Sequence, residues 1–234
     1  MDDLGRQIAY WDTAGAAKTF THPLDLTWLA GVGRSARVLD YGCGYGRTMA
    51  ELSDHGFRDV SGADLSPALV DRGRRSRPDL RFTVLEDPPG LPYPPASFDL
   101  VLLFAVLTCV PDDAAQRELV AELVRVLAPG GLLYVSDMPL QDDARSRERY
   151  AAARAADPGT PYGVFTTGDG AVVRHHEPAR LRALLRDAGP NPGPRPGPGP
   201  GPGPGLDLVH ERPIDVTTMN GNPARALQLL ARKR

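Results

Sequence analysis

The sequence predicts an α/β fold built on a doubly wound, mostly parallel sheet. Three features carry that expectation. Short apolar runs alternate with helical patterns from residue 36 to residue 137, and such alternation produces parallel strands joined by crossover helices. A glycine-rich turn closes the first apolar run. The stretch FDLVLLF at Phe98–Phe104 is apolar almost throughout, as a strand covered on both faces must be.

The elements follow in order. The first strand is expected at 36–40, and a helix at 47–55 follows the glycine turn. A second strand at 60–64 leads to Ser66-Pro67, a capping residue followed by proline at the first helical position, which opens a helix running through Arg75. A third strand is expected at 80–85, before a proline-rich loop, and the central one at 98–104. Pro111-Asp112-Asp113 starts an amphipathic helix ending near Ala128, and Pro129-Gly130-Gly131 is read as the turn into a strand at 132–137.

Beyond this core the pattern loosens. An Ala/Arg-rich helical segment at 145–156 and the irregular PGTPYGVF are read as an insertion, 138–170, lying over the carboxyl edge of the sheet as a candidate lid. Open α/β sheets carry their ligand crevice at that edge. A strand at 171–175 and a helix at 178–188 come next. The stretch GPNPGPRPGPGPGPGPG at 189–205 has no apolar side chain to bury, and its alternating prolines remove backbone donors and favour an extended path. An exposed loop is expected there. Strands at 206–218 and 224–232 complete what reads as one domain over 1–234, with an N-terminal segment 1–35, a core 36–137 and C-terminal strands within 206–234.

Composition narrows the function. At 234 residues, with 41% hydrophobic and 24% charged residues, the chain suits a single buried core. Its net charge of −2 supplies no field able to neutralise many backbone phosphates, so a nucleic-acid partner is not expected. Arg72, Arg74, Arg75 and Arg77 are read as the solvated face of a helix. Two cysteines are too few for a disulfide framework or a thiolate metal centre, and no metal is expected. The acidic start MDDLGRQIAY and the lack of any apolar run of ~20 residues predict a cytoplasmic protein with no membrane partner.

Chemistry concentrates around VLDYGCGYGR at 38–47. Glycines where a strand turns into a helix let backbone approach a ligand without Cβ obstruction. Asp64 ends the next strand about 20 residues on, where a carboxylate can accept both hydroxyl hydrogen bonds of a ribose. The spacing is neither GxGxxG nor GxxxxGK[ST], so neither a dinucleotide nor ATP is favoured.

These residues resemble class I S-adenosylmethionine-dependent methyltransferases. VLDYGCGYG is similar to their first motif and GADLS to their second; EDPPGLPYPPASFDLVLLFAVL and LVRVLAPGGLLYVSD resemble the later ones. The resemblance implies a Rossmann-like methyltransferase architecture, seven-stranded with an antiparallel strand near the C-terminus, and S-adenosyl-L-methionine as cofactor. It implies that Asp40 orients the methionine end, that Gly42, Cys43 and Gly44 line that end and the ribose, and that Asp64 holds the ribose hydroxyls. Leu65 would lie along the adenine, Asp87 (or Glu86) would meet its amino group, and Phe104 would lie near the sulfonium. It further implies that the N-terminal segment covers the site, with Tyr10, Trp11 and Phe20 near the cation.

A methyl group on a sulfonium is already activated, so holding the acceptor in line outweighs proton removal. The candidate bases are His175, His176 and His22. Alternation along a strand sends His175 and His176 to opposite faces, so at most one of them meets the site. Tyr10, Trp11, Tyr162, Arg174 and Asn220 are candidate acceptor contacts, although Asn220-Gly221 also reads as a hairpin turn. The acceptor is expected to be a small molecule, with secondary metabolism one setting. A cyclase or lyase using the same cofactor, or a binder without turnover, is the alternative.

Overall fold

The computed structural model describes residues 3–189 and 205–234. Nearly all of the Pro/Gly-rich stretch expected as an exposed loop therefore lies outside the described residues. Helix α1 (Asp3–Asp12) is followed by β1 (Arg37–Tyr41), α2 (Arg47–Asp54), β2 (Asp59–Asp64), α3 (Pro67–Ser76), β3 (Arg81–Val84) and β4 (Phe98–Phe104). Then come α4 (Asp113–Val126), β5 (Leu127–Asp137), α5 (Ala144–Ala156), β6 (Val164–Thr166), β7 (Val172–Arg174), α6 (Pro178–Arg186), β8 (Leu206–Thr217) and β9 (Pro223–Lys233).

The sheet has seven strands in the order β3-β2-β1-β4-β5-β9-β8. Strand β9 runs antiparallel to both neighbours, while β1 to β5 pair in parallel. This is the expected mostly parallel, doubly wound arrangement. Strand β4 sits at its centre, and its alternating side chains explain why the run is apolar on both faces. Val101 and Leu103 enter a cluster with Leu119 and Leu123 of α4 and Leu181 and Leu185 of α6. Leu100 and Leu102 enter the opposite cluster with Met49 and Leu52 of α2 and Val70 of α3. All four β4 residues are fully buried, each contributing on the order of 1.5–3 kcal/mol from burial.

Two elements differ from expectation. Pro129-Gly130-Gly131 does not separate helix from strand: β5 begins at Leu127, which pairs with Phe98, and the register shifts before Leu100 pairs with Leu132. Gly130 takes a φ of 73° in that irregularity, a bulge being another use of the same conformational freedom. The strand expected at 171–175 is β7, and it pairs with β6 in a separate two-stranded ladder rather than in the main sheet. Its turn is closed locally, with Thr167 N–H donating to Ala171 O at 2.8 Å and Gly170 N–H to Thr167 O at 3.0 Å.

The topology places one crevice. Strand order reverses direction between β1 and β4, which are neighbours paired from Val38↔Leu100 to Tyr41↔Leu103. Chain leaving the carboxyl ends of these strands diverges to opposite faces, opening a gap.

Candidate functional site

A cavity of about 720 Å³ fills that gap, within the ~300–1,000 Å³ range of small-molecule clefts. The turn after β1 forms its floor. Gly42 has a φ of 72°, and a Cβ there would approach Val106 Cγ2 to 2.4 Å, so an L side chain is excluded both by conformation and by contact. Asp64, the last residue of β2, braces the turn: Oδ2 accepts the Gly44 N–H at 2.7 Å and Oδ1 the Ser66 N–H at 2.8 Å. Ser66 in turn caps α3 by accepting the Leu69 N–H at 3.2 Å.

Electrostatics at the floor are set by burial. Burial pushes the Asp64 carboxyl up to about 6, against the backbone N–H groups of Ser66, Gly44 and Leu65 that favour its charged form. Asp40 is pushed up to about 7 by burial, with Arg47 opposing and Asp64 adding to the rise. Arg47 opens α2 and lines the cavity; one Nη donates to the His22 carbonyl, while its buried Nε has no partner among the described residues.

The walls come from distant parts of the chain. Helix α1 docks through Asp12, whose Oδ1 accepts from Ser66 Oγ at 2.6 Å and from the Ala68 N–H at 3.2 Å. Trp11 and Phe20 meet edge-on, and Phe20 stacks on Tyr45 with centroids 5.1 Å apart. Lys18 donates to Asp169 Oδ2 at 2.6 Å and to Asn220 Oδ1, and Tyr10 donates to the same Asp169 oxygen at 3.1 Å. The N-terminal segment is thereby tied to the β6–β7 turn and the β8–β9 turn.

Most residues expected at the site meet there. Asp40, Gly42, Cys43, Asp64, Leu65, Phe104, His22, His175, Tyr10, Trp11 and Asn220 all line the cavity. Gly44 is off the wall because Phe20 lies over it: a Cβ at Gly44 would sit 2.1 Å from Phe20 Cε2. Asp87 is exposed and outside the lining, where Leu85, Pro88 and Pro89 take its place; Glu86 is exposed as well. His176 is outside the lining, just past the end of β7 in a bridge to Pro139, and is buried with Nε2 2.7 Å from Gln116 Nε2. Arg174 is held in the protein by Pro111 O at 2.7 Å and by Asp113. Tyr162 is 45% exposed and packs edge-on against Tyr150 outside the cavity wall.

Several polar and charged residues of the cavity wall had no role predicted by the sequence, among them Lys18, Arg145, Arg149 and Asp169. Lys18 and Asp169 are 151 positions apart, and no local pattern reports such a pair. Arg145 and Arg149 carried a signal in their i, i+4 spacing, which puts both on one face of α5.

Both histidines on the wall are neutral near pH 7. Burial, with Arg47 nearby, pushes His22 down to about 4; burial and Arg149 push His175 to about 4 as well. His22 Nδ1 lies 2.9 Å from Ser136 Oγ, and His175 Nδ1 lies 2.6 Å from the Tyr150 hydroxyl.

This arrangement fits S-adenosylmethionine. The glycine backbone at Gly42 leaves a cradle that any Cβ would fill, Asp64 offers carboxylate oxygens at the end of β2, and the unpartnered Arg47 Nε is a buried donor suited to an anionic group.

Comparison with known proteins agrees. The family described as Methyltransferase domain matches residues 39–135. A ubiquinone biosynthesis O-methyltransferase of Xylella fastidiosa is 32% identical over 193 residues, covering 77% of this chain and 72% of that protein. A demethylmenaquinone methyltransferase of Beutenbergia cavernae is 41% identical over 101 residues, covering 43% of this chain but only 40% of its own length. In fold, the chain is similar to a SAM-dependent methyltransferase of Methanosarcina mazei, with a TM-score of 0.77 at 23% identity, covering 91% of this chain and 99% of that one. By motif, topology and kinship, the chain belongs to the class I S-adenosylmethionine-dependent methyltransferases.

Proposed function

We propose that the chain works as one methyltransferase domain and transfers a methyl group from S-adenosylmethionine to an oxygen, nitrogen or carbon atom of a small molecule. The observation that carries this reading is one cavity lined both by the glycine turn with Asp64 and by side chains of the N-terminal segment, α5 and the β6–β7 hairpin. Room for cofactor and acceptor is therefore continuous.

In this reading Asp64 accepts from the ribose hydroxyls with the lone pairs left free by Gly44 and Ser66, and Arg47 holds the methionine carboxylate with its free Nε–H. Asp40 orients the methionine end, Gly42 and Cys43 line it, and Leu65 lies along the adenine. Bound there, S-adenosylmethionine supplies a methyl group activated by its sulfonium. Phe104, Trp11 and Tyr10 exclude water from the reacting end. Alignment of the acceptor can contribute ~7–11 kcal/mol, so a proton acceptor has a secondary role. His22 is a candidate for that role: it lies on the cavity wall and is neutral, and the burial that lowers its pKa also weakens it as a base, in keeping with a minor contribution. The names of the relatives above, which act in quinone biosynthesis, support an aromatic acceptor.

Incubation of the full chain with S-adenosylmethionine and a panel of phenols and quinols tests the reaction. Products heavier by one methylene, with stoichiometric S-adenosylhomocysteine, are expected; cofactor consumption without methylated product would instead indicate a cyclase or lyase. Asp64→Ala is expected to weaken S-adenosylhomocysteine binding by at least ~10-fold in calorimetry, the ~1.5–3 kcal/mol of charge-assisted hydrogen bonding lost. Unchanged affinity overturns the ribose assignment.

A further inference from the structure

The reading above leaves unexplained a pair of guanidinium groups on the cavity wall at α5. Arg145 and Arg149 stand one turn apart on α5 and both line the cavity. Arg145 donates to the neutral Oδ1 of Asn222, and Arg149 lies over the Phe165 ring with Cζ 5.5 Å from the centroid. Among the described residues neither guanidinium forms a contact ion pair with a carboxylate. The contrast with their neighbours is sharp: Arg174 and Arg180 share Asp113, and Lys18 is neutralised by Asp169 at 2.6 Å. Asp143, which precedes α5, caps it by accepting the Ser146 N–H at 3.0 Å, and its charge is felt by Arg145 without an ion pair forming.

His175 lines the cavity beside this pair and is held there by its neighbours. The hydroxyl of Tyr150, a residue only 1% exposed, accepts the Gln141 N–H at 3.1 Å. That hydroxyl is also hydrogen-bonded to the Ser146 side chain and lies 2.6 Å from His175 Nδ1. The imidazole meets the Phe165 ring edge-on at 5.1 Å, beside the Arg149 guanidinium that lies over the same ring.

We propose that Arg149, with Arg145, forms an oxyanion subsite beside His175, and that the acceptor is an aryl carboxylate. That the carboxylate belongs to the acceptor rests on the cavity being the methylation site; the subsite itself does not. A planar guanidinium pairs with a carboxylate through two parallel hydrogen bonds. The apolar wall formed by Val110, Leu119, Phe104, Phe165 and Val173 suits an aromatic body. The carboxylate anchors the ring without taking part in the transfer.

Ligand-observed NMR titration tests this without any turnover. Benzoate, 4-hydroxybenzoate, salicylate and indole-3-acetate are each compared with the matching primary amide, on the full chain saturated with S-adenosylhomocysteine. At least one acid is expected to bind ~10-fold or more tightly than its amide, and R149Q, folded as judged by an unchanged thermal midpoint, is expected to abolish that preference, while R149K retains part of it. The absence of a carboxylate preference across the panel, or one that survives in R149Q, overturns the subsite. Calorimetry of S-adenosylhomocysteine and the methylation assay report separately on the methyltransferase reading. Methylation of neutral phenols with no acid preference would leave that reading standing and sink this one.

Discussion

At the scale of single residues the site is governed by buried ionisable groups whose pKa values move in opposite directions. His22 is pushed down to about 4 by burial, so the folded state resists taking up its proton. The stability tied to this group is fully present above the ordinary histidine value near 6.5 and is lost as pH falls through that value toward 4. Asp40, Asp64 and Asp137 are raised by burial to about 7, about 6 and about 7. Their contribution has the opposite sense: it is complete below the ordinary carboxylate value and is lost as pH rises through 6 to 7. The two trends partly offset each other in the native protein, and a substitution separates them. Between about pH 7 and about pH 4.5, the change in stability measured by urea unfolding is expected to be more favourable in His22→Gln than in the native chain, by ~2–3 kcal/mol. Equal changes would mean that His22 does not titrate on unfolding in this window.

At the scale of elements, the site depends on helix ends as much as on the sheet. Asp12, the last residue of α1, reaches Ser66 Oγ and the Ala68 N–H at the start of α3. The contact both satisfies an orphan donor of α3 and anchors the cover. Losing such a cap costs ~0.5–2 kcal/mol, a cost that falls on α1 because the parallel sheet holds α3 independently. Asp12→Ala is expected to speed amide exchange throughout α1 while leaving α4 unchanged, and uniform protection in both helices would refute the anchoring role. The sheet elements were readable because each carries its own pattern: β4 has the predicted bounds, since a strand buried on both faces needs apolar residues at every position. The Asp64 link to the glycine turn was readable because both partners end adjacent strands. Strand β6 was not, since three residues of a small ladder show no periodicity. Asp87 follows β3 in an exposed position outside the cavity lining, and Pro88 and Pro89 line the cavity beside it, an arrangement that no local pattern in the proline-rich loop reports.

At the scale of the whole molecule, the core and the cavity wall differ in how they are held. The sheet packs two apolar clusters along its length, whereas the wall is closed by a few polar contacts of long sequence span. Lys18 is the clearest of these, bonding at once to Asp169 and Asn220 from the two turns that flank the cavity. A ligand that fills the cavity touches both groups of elements and so couples them. At a concentration ~100 times its Kd, S-adenosylhomocysteine stabilises the folded state by ~2.7 kcal/mol, which for a chain of this size corresponds to a rise of about 5–10 °C in the melting temperature. Lys18→Met is expected to shift the melting temperature of the free protein only slightly, because the core does not depend on it. The same change is expected to uncouple the wall: on binding, amide protection should still rise in the glycine turn at 42–46 but no longer spread to 167–170 and 218–222. Hydrogen exchange of both proteins with and without the ligand decides the matter. Ligand-induced protection that reaches both turns equally in Lys18→Met would show that the wall is organised by the ligand alone and not by the ammonium group that bridges it.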